Sequence, residues 1–367
     1  MKFSCRKNDL ERAVSVAERF TGKNAALPIL GAILLDARGK TITVTATNLE
    51  YALEWRLPAS VAKEGKVSIP ARIFSSVIQS MPDDTLDVSE ERSGIRVRGG
   101  GREGKINGMK ADDFPLVPAI KKTHSFSLSS AGCGSALARV LPAVSASEFK
   151  PELGGVLVRV ARDTLTLAAT DTFRLAEASI PLADGKGSGV DFSVILPHRA
   201  AQEAARIMDG EDGLVEIAMG ENQMFLKAGP WAITSRLIEG AFPEYRAIIP
   251  TSFSASAHMK KSDLISAVRS SSVFASRLQE AAVRFLPDRI DVFAANPDIG
   301  EYKTSFPAAR SGGDIAMSFN WRYLLDGAQA LEEDDVFFGC NQETAPALLR
   351  NKSHKHFSYV VMPIRVS

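Results

Sequence analysis

Cysteine is scarce. Cys5, Cys133 and Cys340 are the three in 367 residues, they lie far apart and none forms a CxxC pair, so neither a disulfide framework nor a thiolate zinc site is indicated. Excess charge is lacking too. With 44 basic and 43 acidic residues the net charge is +1, so charge alone announces no nucleic-acid partner, although a near-neutral total can still be divided into a basic and an acidic face. No apolar run approaches the roughly 20 residues of a membrane span, and the opening MKFSCRKNDLERAV lacks a signal peptide's apolar core. The expectation is a soluble, cytoplasmic protein. A GxxxxGK(S/T) phosphate loop is also missing, so ATP hydrolysis by this chain is not expected.

What is present is repetition. TITVTATNLEYAL at 41 to 53, TLTLAATDTFRLA at 164 to 176 and RIDVFAANPDIGE at 289 to 301 each run alternating apolar residues into a turn at Asn48, Asp171 or Asn296, roughly 125 residues apart, as a threefold repeat requires. Other features recur in the same frame. Leu10/Ala13/Val14/Ala17, Leu137/Val140/Leu141/Val144 and Leu264/Ala267/Val268/Ser271 have i, i+3, i+4, i+7 spacing and predict one helical face per repeat. SIPARIF, ILPHRAA and SFNWRYL each join a strand end to a second helix, with Pro70 and Pro197 suited to a first turn and Asn320 to a cap. DFP, AFP and VMP close the three units.

The expected domains are 1–121, 122–250 and 251–367, within the usual domain size. Asn8 to Glu11 reads as a capping box for a helix to about Arg19; further helices are expected at 134–146, 198–209, 262–274 and 320–331, and the helix after Pro70 is expected to carry Ile73, Phe74, Val77, Ile78 and Met81 inward. Pro142 should kink or shorten the 134–146 helix. Strand follows strand between the helices, which predicts α+β domains whose helices cover one side of mostly antiparallel sheets.

Several motif matches carry little. Gly99 to Gly104 fits GxGxxG, but KINGMK after it is strand-like, so a hairpin is expected and not a dinucleotide site. His354 and His356 are read as a solvated turn, not a metal pair. Asp171 with His198 has no accompanying nucleophile motif, and a turn aspartate and a helix-start histidine are the ordinary readings. No catalytic residue, cofactor or metal is assigned. Arg72, Arg199 and Arg322 are more informative: each lies in the first turn of the second helix of its repeat, where a cation opposes the helix dipole by a few tenths of a kcal/mol. A solvated surface arginine is the ordinary reading for any one. Three together suggest an anionic partner met alike by every repeat, such as a phosphate backbone. Arg6, Lys7, Arg12, Arg19, Arg139, Lys260, Lys261 and Arg269 add positive charge to the first helices.

LPIL at 27 to 30, TNLE at 47 to 50, ATDTFRLA at 169 to 176, FPEYR at 242 to 246 and YVVMPIR at 359 to 365 resemble the bacterial sliding clamps, the beta subunits of DNA polymerase III, and the match runs along the whole chain in order. The resemblance implies three DNA-clamp domains per chain and a homodimer closed head to tail around double-stranded DNA, with helices lining the ring and antiparallel sheets outside. It also implies a non-catalytic processivity factor whose partners are the polymerase III alpha subunit, a clamp loader and other proteins bearing a clamp-binding motif, with no membrane partner. Twelve helices at roughly 9 to 10 Å between axes make a circle about 36 Å across; subtracting a helix diameter leaves a hole of about 25 Å.

The same resemblance implies site residues. A peptide cleft would be lined by Leu153, Thr170, Thr172, Arg174 and Leu175, by Pro243 and Ile248, by Asn320, Tyr323 and Pro346, and by Val360, Met362, Pro363 and Arg365. Ile73 and Ile106 would face Val273 and Phe274 of a partner copy, and Lys23 and Lys150 would touch DNA beside Arg72, Arg199 and Arg322. Phe173 stands where the family often has His or Tyr, Ala247 where Arg is common, and Val366-Ser367 extends past the usual end. A peptide-binding scaffold without DNA would keep the cleft but have no need of the three arginines.

Overall fold

The computed structural model describes residues 1–22, 27–82, 84–117, 121, 123–183, 192–353 and 356–364. Among these residues there are six α-helices, α1 (Lys7–Glu18), α2 (Ala71–Ser80), α3 (Ser130–Val140), α4 (His198–Met208), α5 (Lys261–Ser271) and α6 (Trp321–Gln329). Strands Lys2–Arg6, His124–Ser129 and Ala255–Lys260 run without a loop into α1, α3 and α5.

That direct junction corrects the capping-box expectation. Arg6, in extended conformation, is the N-cap of α1 and makes no side-chain cap bond. The first helical amide is instead bonded by a backbone carbonyl from a neighbouring turn, and this holds in all three repeats: Lys7 N–H to Asp84 O at 3.0 Å, Ser130 N–H to Gly213 O at 2.9 Å and Lys261 N–H to Asp334 O at 2.8 Å. A tertiary bond thus does what the local side chains were expected to do. Asn320 does cap α6, accepting the Arg322 N–H at 3.0 Å, whereas Pro70 sits at the N-cap of α2 and Pro197 ends a strand.

Helix faces follow the spacing. Leu10, Ala13, Val14 and Ala17 are buried, as are Leu264, Ala267, Val268 and Ser271. In α3, Leu137 and Val140 are buried, but the α-helix stops at Val140 and Leu141–Ala143 form a 3-10 turn around Pro142. The expected 134–146 helix therefore lies earlier and is shorter, with Leu141 and Val144 only half-buried. On α2, Phe74, Ile78 and the following Met81 point inward, while Ile73 is 54% exposed.

Among the described residues the strands form four antiparallel sheets within two compact units, one of Met1–Ala131 with Arg206–Leu237, the other of Gly132–Ala205 with Ile238–Ser367. The middle repeat is divided between them because each of its sheets continues a neighbour's. In the first unit strand Trp231–Arg236 pairs with Tyr51–Pro58, building an eight-stranded sheet. In the second, Phe357–Val361 pairs with Arg174–Pro181, building a nine-stranded sheet. The same rule joins both: the last strand of one repeat lies against the fourth strand of the repeat before it. A five-stranded sheet ends at Arg102–Asn107 and a four-stranded one at Gly300–Pro307. The GxGxxG stretch is the turn of a hairpin between Gly94–Gly99 and Arg102–Asn107, with Gly100 and Gly101 at φ 52° and 77°, where a side chain would be strained.

Candidate peptide groove and exposed helix starts

The turn at Asp171 builds the rim of a groove in the second unit. Asp171 Oδ1 accepts the N–H groups of Phe173 at 2.9 Å and Arg174 at 3.0 Å, while Thr170 Oγ1 accepts the Thr172 N–H at 3.1 Å and donates to Arg174 O at 2.7 Å. These bonds hold Thr172 at φ 77°, which a β-branched residue rarely adopts. Arg174 is fixed by Asp171 Oδ2 at 3.0 Å, by Asp326, and by the Tyr323 ring 4.2 Å below its guanidinium. Burial opposes its charge, but Tyr359, Asp326 and Asp171 more than offset this and hold its pKa above the ordinary value.

The groove floor is apolar because Leu175 pairs with Val360 across the strand junction, and both pack in one cluster with Leu157, Ala168, Leu348 and Tyr245. The cavity, about 360 Å³, is lined by Thr170, Thr172, Arg174, Leu175, Pro243, Glu244, Tyr245, Ile248, Pro346, Val360 and Met362. Ile248 is 49% exposed, and Met362 is held in place by its N–H to Phe173 O at 2.8 Å. Apolar walls with a few polar groups suit a short, partly hydrophobic segment. Burial and the Glu177 carboxylate that accepts its hydroxyl proton push the Tyr245 phenol up, so it stays neutral.

Of the other residues expected here, Leu153 is buried in a 3-10 turn, Asn320 is occupied as the α6 cap, Tyr323 stacks against Arg174, and Pro363 is half-buried after Met362. None of these four lines the cavity, and Arg365 lies outside the described residues. Glu244 and Tyr245 line it although they were not expected to; the FPEYR stretch contained them, but their apolar-polar pattern alone does not tell wall from core.

Arg72, Arg199 and Arg322 are all exposed at the second position of α2, α4 and α6. Of the cations at the first helices five are tied down, while Arg6, Arg19 and Arg269 are exposed. Arg12 meets Glu211 and the Trp55 ring, Lys7 is buried beside Glu11, and Arg139 lies between Glu332 and the Phe357 ring. Lys260 binds Asp335 at 2.8 Å and Lys261 donates to Leu331 O at 3.0 Å. Lys150 is exposed next to Phe149, and Lys23 lies outside the described residues.

Models of the N-terminal, central and C-terminal domains of the DNA polymerase III beta subunit match residues 1–118, 128–244 and 246–365. The chain belongs to the DNA polymerase III beta subunit family. It is 28% identical to the beta sliding clamp of Synechocystis sp. over the full length of both chains. Among solved structures, a sliding clamp from Pseudomonas aeruginosa bound to griselimycin superposes with a TM-score of 0.94 at 25% identity, covering 100% of each chain. A Bacillus subtilis clamp shares the fold, with a TM-score of 0.93 at 24% identity over 100% of each chain. The three repeats are three DNA-clamp domains.

In those domains Ile73 and Val273 are 54% and 66% exposed, and Phe274 is half-buried, stacked on Tyr302 at 5.7 Å between ring centroids. Ile106 is 3% exposed and paired opposite Ile95, with its side chain on the core face of the hairpin. Among the described residues no cluster of three or more His, Cys, Asp or Glu is placed to hold a metal ion, and no helix is long and apolar enough to cross a membrane.

Proposed function

We propose that the chain is a DNA sliding clamp: a cytoplasmic, non-catalytic homodimer that closes around duplex DNA and tethers polymerase III and other proteins through the groove at Leu175, Ile248 and Met362. Its clamp domains are taken as 1–121, 122–250 and 251–367, with Arg72, Arg199, Arg322, Lys23 and Lys150 toward DNA. A groove in each copy raises the local concentration of whatever it holds.

The observation that carries the reading is the joining rule of the sheets. Applied once more, it asks the last strand of the first repeat, Arg102–Asn107, to pair with Gly300–Pro307 of another copy, which also covers two sheet edges. Carried over from the Trp231–Arg236 and Tyr51–Pro58 register, the rule sets Glu103 opposite Lys303 and Lys105 opposite Glu301. Opposite charges meet at both positions. All four side chains are exposed in the single chain, and Ile106 falls opposite Gly300, the residue beside Phe274. Two such junctions close two chains into a ring.

The test is topological. The protein is loaded on nicked circular DNA by a clamp loader, and the circle is then cut. Retention on the circle and rapid loss from the linear form is the expected result; equal retention on both means that adhesion, not enclosure, holds the protein.

A further inference from the structure

The first unit carries a counterpart of the groove, built by the same turn and the same register. Asn48 Oδ1 accepts the N–H groups of Glu50 and Tyr51, both at 3.0 Å, Thr47 Oγ1 accepts the Leu49 N–H at 3.0 Å, and Leu49 is held at φ 77°, the angle of Thr172. Ala52 pairs with Thr234 as Leu175 pairs with Val360. Between these elements lies a cavity of about 250 Å³. In the third repeat the corresponding strand, Gly300–Pro307, is an edge of its sheet among the described residues.

The lining differs in kind. Leu116 and Val117 stand where the first groove has Glu244 and Tyr245, and with Leu49 they make one part apolar; Leu116 is 94% exposed and Leu49 47%. Where the first groove has Pro346, Val360 and Met362, this one has Gln223, Thr234 and Arg236, and Glu50 joins them. Both Glu50 and Arg236 are exposed, and the Arg236 N–H donates to Glu50 O at 2.8 Å, so a carboxylate and a guanidinium occupy the same edge.

We propose that this cavity is a second peptide-binding groove, which takes an extended segment of a partner protein in which an apolar side chain adjoins a carboxamide. Successive side chains of an extended chain point to opposite sides, so one can rest on Leu49, Leu116 and Val117 while the next reaches the polar edge. A carboxamide both donates and accepts, which matches an edge that offers Glu50 as acceptor and Arg236 as donor. A carboxylate would satisfy Arg236 but face Glu50, and a lysine the reverse. The assignment rests on the reading of the first groove as a peptide site.

The probe is acetyl-Phe-Gln-amide, added to the full-length protein with labelled Ile, Leu and Val methyl groups and followed by NMR. Methyls of Leu49, Leu116 and Val117 report this groove; those of Leu175, Ile248 and Val360 report the first. Expected are saturable shifts at the first three with a Kd on the order of 1 mM, about tenfold tighter than for acetyl-Phe-Glu-amide. Leu116→Ser, at a fully exposed position, should remove them without unfolding. Glu50→Gln should reverse the order of the two probes. Absence of saturable shifts at Leu49, Leu116 and Val117, or an order that Glu50→Gln leaves unchanged, overturns the proposal. Shifts confined to Leu175, Ile248 and Val360 overturn it while keeping the first groove, and shifts at Leu49 and Leu116 alone overturn the first groove's role instead.

Discussion

Cys5, Cys133 and Cys340 are all buried, and burial pushes each thiol up from the ordinary 9.0 to about 12, with Asp9 and Asp87 adding to the effect at Cys5. They are thus packing residues without nucleophilic character at neutral pH. The folded state keeps their protons where the unfolded chain would lose them. Their contribution to stability is therefore complete below pH 9 and lost as pH rises toward 12, by up to about 1.4 kcal/mol per pH unit for each thiol. Denaturant titrations at pH 8, 9.5 and 10.5 should show stability falling above pH 9, with a shallower fall in Cys133→Ala. A thiol reagent at pH 8 should modify none of the three until the chain is unfolded; rapid native modification would show that the sites open.

At the scale of elements, the threefold frame, the helix faces and the hairpin at Gly99 were legible because each rests on local periodicity that the chain states three times. Helix starts were not, since the first amides of α1, α3 and α5 are bonded by carbonyls about 70 to 80 residues away in the sequence, and no local motif encodes that. The core face of the hairpin is set in a related way: alternation gives two faces but does not say which one the core takes, and Ile106 lies on the covered one. The strand-joining rule was equally invisible until the pairings Leu175↔Val360 and Ala52↔Thr234 could be compared. It makes the edge Arg102–Asn107 testable. Lys105→Glu would place like charges opposite one another at each junction, costing about 1 kcal/mol apiece. With two junctions the dimer Kd should rise roughly 30-fold in sedimentation at low salt. Adding Glu301→Lys should restore most of it. If the double variant is as weak as the single, the two strands do not pair in that register.

For the whole molecule the question is how a nearly neutral protein can hold a polyanion and still move on it. Binding strength through phosphate contacts grows with the number of cations engaged, and each adds about one unit to the salt dependence. A clamp that used every cation on its helices would grip. Here Arg12, Arg139, Lys260 and Lys261 are occupied by partners in the chain itself, while Arg72, Arg199 and Arg322 are exposed at equivalent helix starts and Arg6, Arg19 and Arg269 are exposed at the first helices. Few contacts, repeated at regular intervals, favour weak attraction that is the same at every step along the duplex. Changing all three to Glu should leave the dimer in sedimentation and peptide binding at Leu175 and Ile248 unaltered, because none of the three lines that groove. Loading onto nicked circles should fall by about tenfold or more at low ionic strength, and the deficit should shrink as salt is raised and the field is screened. Unchanged loading at low salt would mean that these arginines do not face the duplex. A loss that persists at high salt would mean that they act through structure, not charge.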